Sequence, residues 1–591
     1  MGKGLKAAAL AGIGLSLTSV SLEPRMSPKL LAALDPSLLA SSICGARQGG
    51  GGAFARNLLV AQAVAAPLSQ AATPIPLYDD LTRSPFAATT SHPQARRYFS
   101  QGLLMTYGFN HAGAVRSFRE AQRLDPSCAI CWWGEAVALG PNINAPMDER
   151  DRGAALDAMD KAMSLRERAS PMEQALIEAV ARRYSRDPEA DRAALDGAYA
   201  DAMLEVARRF PADDDVAVLA AEAVMDTSPW NYWEADRKTP VGRSGEAVRL
   251  VETVMSRNPA HVQAGHLYIH LLEAADAQRA EAAADRLASP LAPSAAHLVH
   301  MPSHIYQGRG RYMESMRVNV AAARADEAFI RSADDRSLVR YGYYPHNVHF
   351  IVISAQMAGD MDTALREAER LRNLLDIETS ARIGWVQVIY AAPYLAMAQF
   401  AAPEAILDMP APDARLPYAA AMGHYARAIA YAQLRNKAAF EAEIAGMEAL
   451  AKADAFADLI AQDVPAPELV EMASAVARGR FATAQGRYDE AAEFYRAAIA
   501  VEGRLPYMEP PYWYYPVNQS LGAALLLAGR PAEASEAFRA ALAQTPRNGW
   551  ALYGLARSED AQGRKADAEA ARQAFTRAWA GRPEWLRLER L

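Results

Sequence analysis

Histidines are unevenly distributed along this chain, and their spacing suits metal binding. Eight of the 11 histidines lie between His261 and His349, in three short segments where many are three or four residues apart. Such spacings place side chains on one face of a helix, where two imidazoles can bind one ion. Imidazole ligands favour zinc, copper or iron. We therefore predict a transition-metal site with ligands from this set: His266, His270, Glu273, His297, His300, His304, His346 and His349.

The sequence does not identify a reaction for this site. Zinc peptidases often carry a glutamate directly after the first histidine, where it activates water. Here Leu267 follows His266, so Glu273 is a candidate third ligand and no general base is identified. There is no phosphate-binding loop and no glycine fingerprint for a dinucleotide, so we expect no nucleotide cofactor. Catalytic residues stay unassigned, and the sequence leaves open whether this protein is an enzyme.

A purely structural interpretation of the histidines is the alternative. In it, the rings are hydrogen-bonded to neighbouring Tyr, Asn and Glu side chains and hold no metal. If metal is bound, Asn319, Asp326 and Glu327 are candidate partners that would fix the ring tautomers. We expect a ligand to contact Tyr306, Tyr343, Tyr344 and Asn347 near the cluster, and Trp513 in the aromatic segment that enters the Gly522 repeat.

Cys128 and Cys131 form a separate candidate site at the predicted start of a helix. Their spacing permits a disulfide bond in an oxidising compartment, or metal ligation by thiolates. No second cysteine pair completes a four-cysteine zinc site, and Trp132 stands where a haem-attachment motif needs histidine. We take this pair as a candidate disulfide, with plain buried thiols and redox or metal chemistry as the alternatives.

The elements that position these residues are predicted by an internal repeat of 34 residues. Small and aromatic residues recur at positions 4, 8, 20, 24, 27 and 32 of the unit, and Gly-Arg turns separate its two helices. A glycine there closes the first helix in the left-handed conformation. The N-terminal unit shows the pattern at Tyr98, Gly102, Ala114, Phe118, Ala121 and Pro126; the C-terminal one shows it at Gly522, Ala534, Phe538, Ala541 and Pro546.

This pattern resembles the tetratricopeptide repeat. The resemblance implies an all-α solenoid, a right-handed superhelix of antiparallel helix pairs whose first helices line a concave groove. Aligning the turns at 275–280, 310–315 and 359–364 places the three histidine segments in the first helices of consecutive units. Most of these histidines then face one groove, with His270 fitting least well. Pro302 is expected to bend or end the helix after His300 and separate His304 from it.

Four motifs together resemble a group of bacterial tetratricopeptide proteins: residues 108–111 (GFNH), 128–135 (CAICWWGE), 300–304 (HMPSH) and 344–349 (YPHNVH). This resemblance implies an exported bacterial protein and supplies no reaction.

Export is also predicted from the N-terminus. Lys3 and Lys6 precede an uncharged run over residues 7–22, and a second apolar run over residues 58–66 ends in small residues. We expect residues 1–72 to be a leader that is removed or disordered, and a periplasmic or secreted protein. An uncleaved membrane anchor is the alternative, and no later segment is apolar enough to span a membrane.

Three further regions follow the leader. We expect a repeat array over residues 76–400 with the histidine-rich groove, Pro- and Ala-containing connecting helices over 401–470, and C-terminal repeats over 471–591. The net charge of −7, with no basic stripe, argues against nucleic-acid binding.

Three functions remain open at this stage. The first is an exported scaffold that binds a protein or peptide in its groove without metal. The second, which we favour, is the same scaffold with a transition-metal site at the histidines, binding a peptide, a protein or a small ligand. The third is a metal-dependent hydrolase or oxidoreductase that uses that site.

Overall fold

The computed structural model describes residues 27, 30, 34, 61–62, 65–70, 75–289, 291–452, 454–506 and 508–591. Within these residues the extended structure is one isolated bridge, between Trp233 and Pro240, and all other regular structure is helical. The all-α class predicted from the repeats is confirmed. In the described part of the chain, no helix is long and apolar enough to cross a membrane.

The α-helices up to the histidine region are α1 Pro93–Tyr107, α2 His111–Leu124, α3 Ala129–Ala138, α4 Arg152–Leu165, α5 Pro171–Val180, α6 Arg192–Arg209, α7 Asp214–Met225 and α8 Ser244–Arg257. The histidine region contains α9 Val262–Leu272, α10 Ala277–Leu287, α11 Ala296–His300, α12 Pro302–Gly308, α13 Tyr312–Ala333, a π-helical turn Val339–Tyr343, α14 Tyr344–Ala358 and α15 Met361–Leu374.

The helices that follow are α16 Ile377–Arg382, α17 Gly384–Tyr390, α18 Ala392–Phe400, α19 Pro403–Leu407, α20 Pro417–Gln433, α21 Lys437–Lys452, α22 Ala457–Ala461, α23 Ala466–Ala484 and α24 Tyr488–Glu502. The last four are α25 Val517–Leu527, α26 Pro531–Gln544, α27 Gly549–Ala561 and α28 Lys565–Ala578. Short 3-10 turns lie at Leu68–Gln70, Asp79–Leu81, Glu149–Asp151, Arg166–Arg168, Ala181–Arg183, Asp454–Phe456, Pro583–Trp585 and Leu588–Arg590.

Consecutive helices pack as pairs, and the repeat residues explain the contact. The ring of Phe118 on α2 lies between Gly102 and Gly134, where an added β-carbon would come within 2.7 and 2.3 Å of ring atoms. Phe538 makes the same contact with Gly522 and Gly554 in the C-terminal repeats. The small residues of the pattern therefore make room for the aromatic ring that joins neighbouring helix pairs.

The turns between paired helices have the predicted backbone. Gly486, Gly529 and Gly563 have φ values of 74°, 74° and 73°, the left-handed conformation that glycine adopts readily. In the histidine region, Gly310 and Gly359 follow α12 and α14 and also have positive φ values, of 67° and 80°. The repeat register drawn from the sequence therefore holds in both parts of the chain.

Pro302 ends α11 as predicted, but it does not separate the two histidines that flank it. Met301, between α11 and α12, has φ −50° and ψ −38°, so the chain stays helical through the junction. His300 and His304 consequently remain one turn apart on the same face, with their Nε2 atoms 2.8 Å apart.

The C-terminal repeats fold back onto the histidine-bearing helices. The indole N–H of Trp550 donates to the carbonyl oxygen of Gln356 at 3.0 Å, and the hydroxyl of Tyr312 donates to the carbonyl oxygen of Pro546 at 2.9 Å. The Ala580 N–H donates to the carbonyl oxygen of Ala358 at 2.9 Å. These contacts bring the segment around residues 508–515 against α12 and α14.

Part of the predicted leader packs against the repeats. The Leu68 and Ser69 N–H groups donate to the Asp151 carboxylate at 2.9 and 2.8 Å, and Arg119 donates to the Ser69 carbonyl oxygen at 2.8 Å. The cleavage and disorder expected for residues 1–72 stay predictions, and most of that segment lies outside the described residues. Cys128 and Cys131 form a disulfide bond, with an S–S distance of 2.06 Å.

Candidate metal centre

His266, His270 and His297 form one compact group of buried imidazoles. One ligand nitrogen from each lies within 4.8 Å of the other two. Their three Nε2 atoms are buried and have no hydrogen-bond partner among the described residues. The Nδ1 atoms of His266 and His270 face Gln263 Oε1 at 2.9 Å and Glu273 Oε1 at 3.1 Å. Both acceptors hold the proton on Nδ1, so that each Nε2 keeps its lone pair for a ligand.

His300, His304 and His346 form a second group beside the first. The Nδ1–H of His300 donates to Asn319 Oδ1 at 2.6 Å, and the Asn319 amide donates in turn to the Ser315 carbonyl oxygen at 2.8 Å. Asn319 is thus bonded to a histidine of the cluster, and its role toward a metal ion stays a prediction. The Nε2 atoms of His300 and His304 face each other at 2.8 Å, a position where they can share a proton or turn slightly apart to bind one ion.

Two carboxylates approach His304 from different parts of the chain. Its Nδ1 lies 2.9 Å from Glu273 Oε2 and is hydrogen-bonded to Glu509 Oε2. Burial alone would lower the pKa of His304, but these two carboxylates raise that pKa above its usual range. Burial would raise the pKa of Glu273, but His304 and His270 hold it below its usual range.

Four other rings of the cluster are held neutral. Burial is the main cause that lowers the pKa values of His266, His297, His300 and His346 well below the ordinary histidine value, and the neighbouring imidazoles add to it. Neutral imidazole is the form that binds a metal ion. These four rings therefore offer neutral ligands at neutral pH, whereas His304 holds a proton that a metal ion in the second group must displace.

A small pocket lies beside the first group, behind Phe109 and Tyr343. It has a volume of about 40 Å³, and its wall includes Phe109, His111, Asn142 and Tyr343, together with Leu68 from the predicted leader. The rings of Phe109 and Tyr343 lie 5.1 and 5.0 Å from that of His297. A pocket of this size has room for about three water molecules. It can admit a small ligand to the edge of the site but not a folded peptide.

Several predicted site residues lie elsewhere. The Tyr306 hydroxyl donates to Asp285 at 2.8 Å, and the Tyr344 hydroxyl donates to Glu327 at 2.6 Å. Asn347 donates to Asp326 at 2.7 Å, so Asp326 and Glu327 bond to these side chains and not to histidines. His349 belongs to neither group, and its Nε2 lies 2.8 Å from the Tyr514 hydroxyl. The ring of Trp513 packs on that of Tyr425, with centroids 5.4 Å apart.

Four residues of the site were not among the predicted ligands. Phe109, with φ 51°, contacts all three rings of the first group, and Phe350 contacts all three of the second. Gln263 and Glu509 supply the acceptors described above. The position of Phe109 inside the GFNH motif was the available signal for it. Glu509 gave no signal, because a contact between residues 205 positions apart leaves no local pattern.

Comparison with known proteins supports the repeat assignment. The tetratricopeptide repeat family model matches residues 525–589, within the C-terminal repeats. No curated protein sequence matches it significantly.

Among solved structures, human IFIT1, as a dimer with m7Gppp-AAAA, is 11% identical. That similarity covers 93% of this chain and 98% of IFIT1, with a TM-score of 0.29. Yeast Tom70 is 11% identical over 84% of this chain and 94% of its own, with a TM-score of 0.29. The P58(IPK) TPR domain is 12% identical over 82% and 92%, with a TM-score of 0.20.

Proposed function

We propose that this protein is an exported tetratricopeptide repeat protein that binds a transition-metal ion through His266, His270 and His297. The single observation that supports it is a group of three buried imidazoles that each bring one ring nitrogen within 4.8 Å of the other two, with Nε2 atoms that have no hydrogen-bond partner among the described residues. Leaving buried polar atoms unpaired costs about 1–3 kcal/mol each. A metal ion bonded to all three removes that cost, whereas a purely structural role for the rings does not.

The ligand set favours zinc, copper or iron. All three ligands are neutral nitrogens, and the nearest carboxylate, Glu273, contacts the Nδ1 side of His270. Imidazole suits these ions, whereas magnesium and calcium require oxygen ligands. Three protein nitrogens also leave a further coordination position for a water molecule or a substrate.

A protein or peptide partner would bind away from the histidines. Repeat solenoids offer extended surfaces for such partners. No histidine of either group is more than 6% exposed, and Glu509 and Tyr514 from the C-terminal half lie against His304 and His349. We infer that the metal binds a small ligand and that any macromolecule binds outside this cluster.

The test is the metal content of the full chain, purified natively without a polyhistidine tag and measured by elemental mass spectrometry. We expect at least one zinc, copper or iron ion per chain and a loss of metal in His297→Ala. His424→Ala is the control, because His424 is bonded to Glu443 on another part of the solenoid and should keep the metal. A wild-type chain that stays empty after reconstitution with all three metals would contradict the proposal.

A metal-dependent enzyme is the second candidate, favoured by the pocket that ends at Phe109 and Tyr343 beside His297. If a small molecule reaches the ion, azide added to copper-loaded protein should shift its absorption spectrum, and a structural ion closed to ligands should show no shift. Export is tested separately by fractionating cells and sequencing the N-terminus of the mature chain.

A further inference from the structure

The two histidine groups have the same construction. His266 and His270 are four residues apart on α9, and His300 and His304 are four residues apart across α11 and α12. Each member of the first pair precedes its counterpart by 34 residues, within one position of the 35-residue step between the turns at 275–280 and 310–315. The third ring of each group, His297 or His346, comes from the first helix of the next unit. The second group is therefore the first one shifted along the solenoid by one repeat.

The same spacing explains why the next described unit does not form a third group. The following unit begins with His346 and His349 and so repeats the positions of His297 and His300. Ile353, four residues after His349, occupies the position where His304 would recur. His349 has no histidine partner one turn away, and its Nε2 faces the Tyr514 hydroxyl instead.

Each group is covered by one phenylalanine. The ring of Phe109 lies 4.7, 5.9 and 5.1 Å from those of His266, His270 and His297.

The ring of Phe350 lies 4.9, 5.0 and 5.0 Å from those of His300, His304 and His346. Three imidazoles against an apolar ring form a pocket that excludes bulk water, which strengthens bonds between a metal and nitrogen ligands.

The two groups lie side by side and share a carboxylate. The ring centroids of His297 and His300 are 5.8 Å apart, and those of His270 and His304 are 6.3 Å apart. The Glu273 carboxylate lies between the groups, with Oε1 3.1 Å from His270 Nδ1 and Oε2 2.9 Å from His304 Nδ1. Glu273 therefore orients one ring in each group and adds the negative charge that two adjacent cations need.

We propose that the cluster is a dinuclear centre, with a second metal ion held by His300, His304 and His346 beside the first. This inference rests on the proposed function, since it adds a second ion to the same cluster. Two-metal sites commonly hold ions about 3.5–4 Å apart, close enough to bind the two ends of one small ligand.

Metal stoichiometry separates this inference from the proposed function. Full-length protein stripped of metal is titrated with Cu²⁺, and separately with Zn²⁺, and bound metal is counted after gel filtration. Two ions per chain are expected. One ion per chain would overturn the dinuclear centre and leave the proposed function intact, and none would overturn both.

Variants assign each ion to its group. His297→Ala and His346→Ala, with His297→Gln and His346→Gln as better-packed versions, should each lower the count from two to about one. His349→Ala is the matched control, because it lies one turn from His346 on α14 but belongs to neither group, and it should keep both ions. Loss of both ions in His349→Ala, or retention of both in His346→Gln, would overturn the assignment.

A measurement on the unaltered chain covers the case in which the variants misfold. Two Cu²⁺ ions this close interact magnetically. The electron paramagnetic resonance signal of fully loaded protein should therefore integrate to clearly fewer spins than bound copper ions. An intensity equal to two independent copper ions would overturn the dinuclear centre even if two ions are bound.

Discussion

Gln263 shows how one residue outside the ligand set controls a ligand. Its carbonyl oxygen accepts from His266 Nδ1 at 2.9 Å, and its amide N–H donates to Glu222 at 2.9 Å. The second bond fixes which end of the amide faces His266. The bond to His266 then keeps the ring proton on Nδ1, so that Nε2 carries the lone pair that a metal ion can bind.

Replacing Gln263 should therefore weaken metal binding without removing a ligand. We expect Gln263→Leu to lower the metal affinity of the first group 10–100-fold, the usual effect of losing such an outer partner. Gln122→Leu is the control, because Gln122 is also buried and its hydrogen bonds go to Glu135 at 2.7 Å and to the Cys131 carbonyl oxygen, not to the cluster. Competition with a chelator of known affinity measures the change. An affinity equal to that of the control would contradict this role.

At the scale of the element, the turns between helices should be sensitive to glycine replacement. Gly529 has φ 74° and nothing within 4 Å of an added β-carbon, so the backbone conformation alone opposes substitution. We expect Gly529→Ala to destabilise the C-terminal repeats by about 1 kcal/mol.

Gly197, within α6, also has open space around it but ordinary helical dihedrals. Gly197→Ala should raise stability by about 0.5–1 kcal/mol. Thermal unfolding of both variants tests whether the two replacements change stability in opposite directions. A lower melting temperature for Gly197→Ala, or an unchanged one for Gly529→Ala, would contradict the explanation.

The helices and their register were predictable because a repeat presents the same local pattern several times. The Gly102–Phe118 pair and the turn at Gly529 each follow from spacing within one unit. The end of α11 before Pro302 was predicted correctly. The predicted separation of His304 from His300 was wrong, because sequence spacing does not reveal that Met301 keeps helical dihedrals. Phe109 and Glu509 reach the site through packing between distant units, which periodicity does not encode.

At the scale of the whole molecule, buried neutral histidines make the metal-free fold sensitive to acid. Burial lowers the pKa of His111 to about 4 and that of His349 to about 3, whereas both titrate near 6.5 in an unfolded chain. The contribution of these two neutral histidines to the stability of the fold is fully present above pH 6.5. It is lost as the pH falls from 6.5 towards 4 and 3, because only the unfolded chain takes up these protons.

Each such histidine should lower the free energy of unfolding by up to about 1.4 kcal/mol per pH unit in that range. Denaturant midpoints of the metal-free protein at pH 7.5, 6 and 5 measure the trend. His111→Gln should reduce the change of the unfolding free energy with pH by the contribution of about one proton, since glutamine does not titrate. A slope that is unchanged in this variant would show that His111 does not contribute.

The bond between His304 and Glu509 has a consequence for the order in which the protein matures. Glu509 is made 205 residues after His304, so the chain emerging from the ribosome contains every histidine of the cluster well before this carboxylate. A nascent chain therefore has Glu273 but not the second carboxylate that holds the His304 ring. Metal in the second group should be held fully only after the last repeats have docked, so its retention would report that the C-terminal repeats are in place.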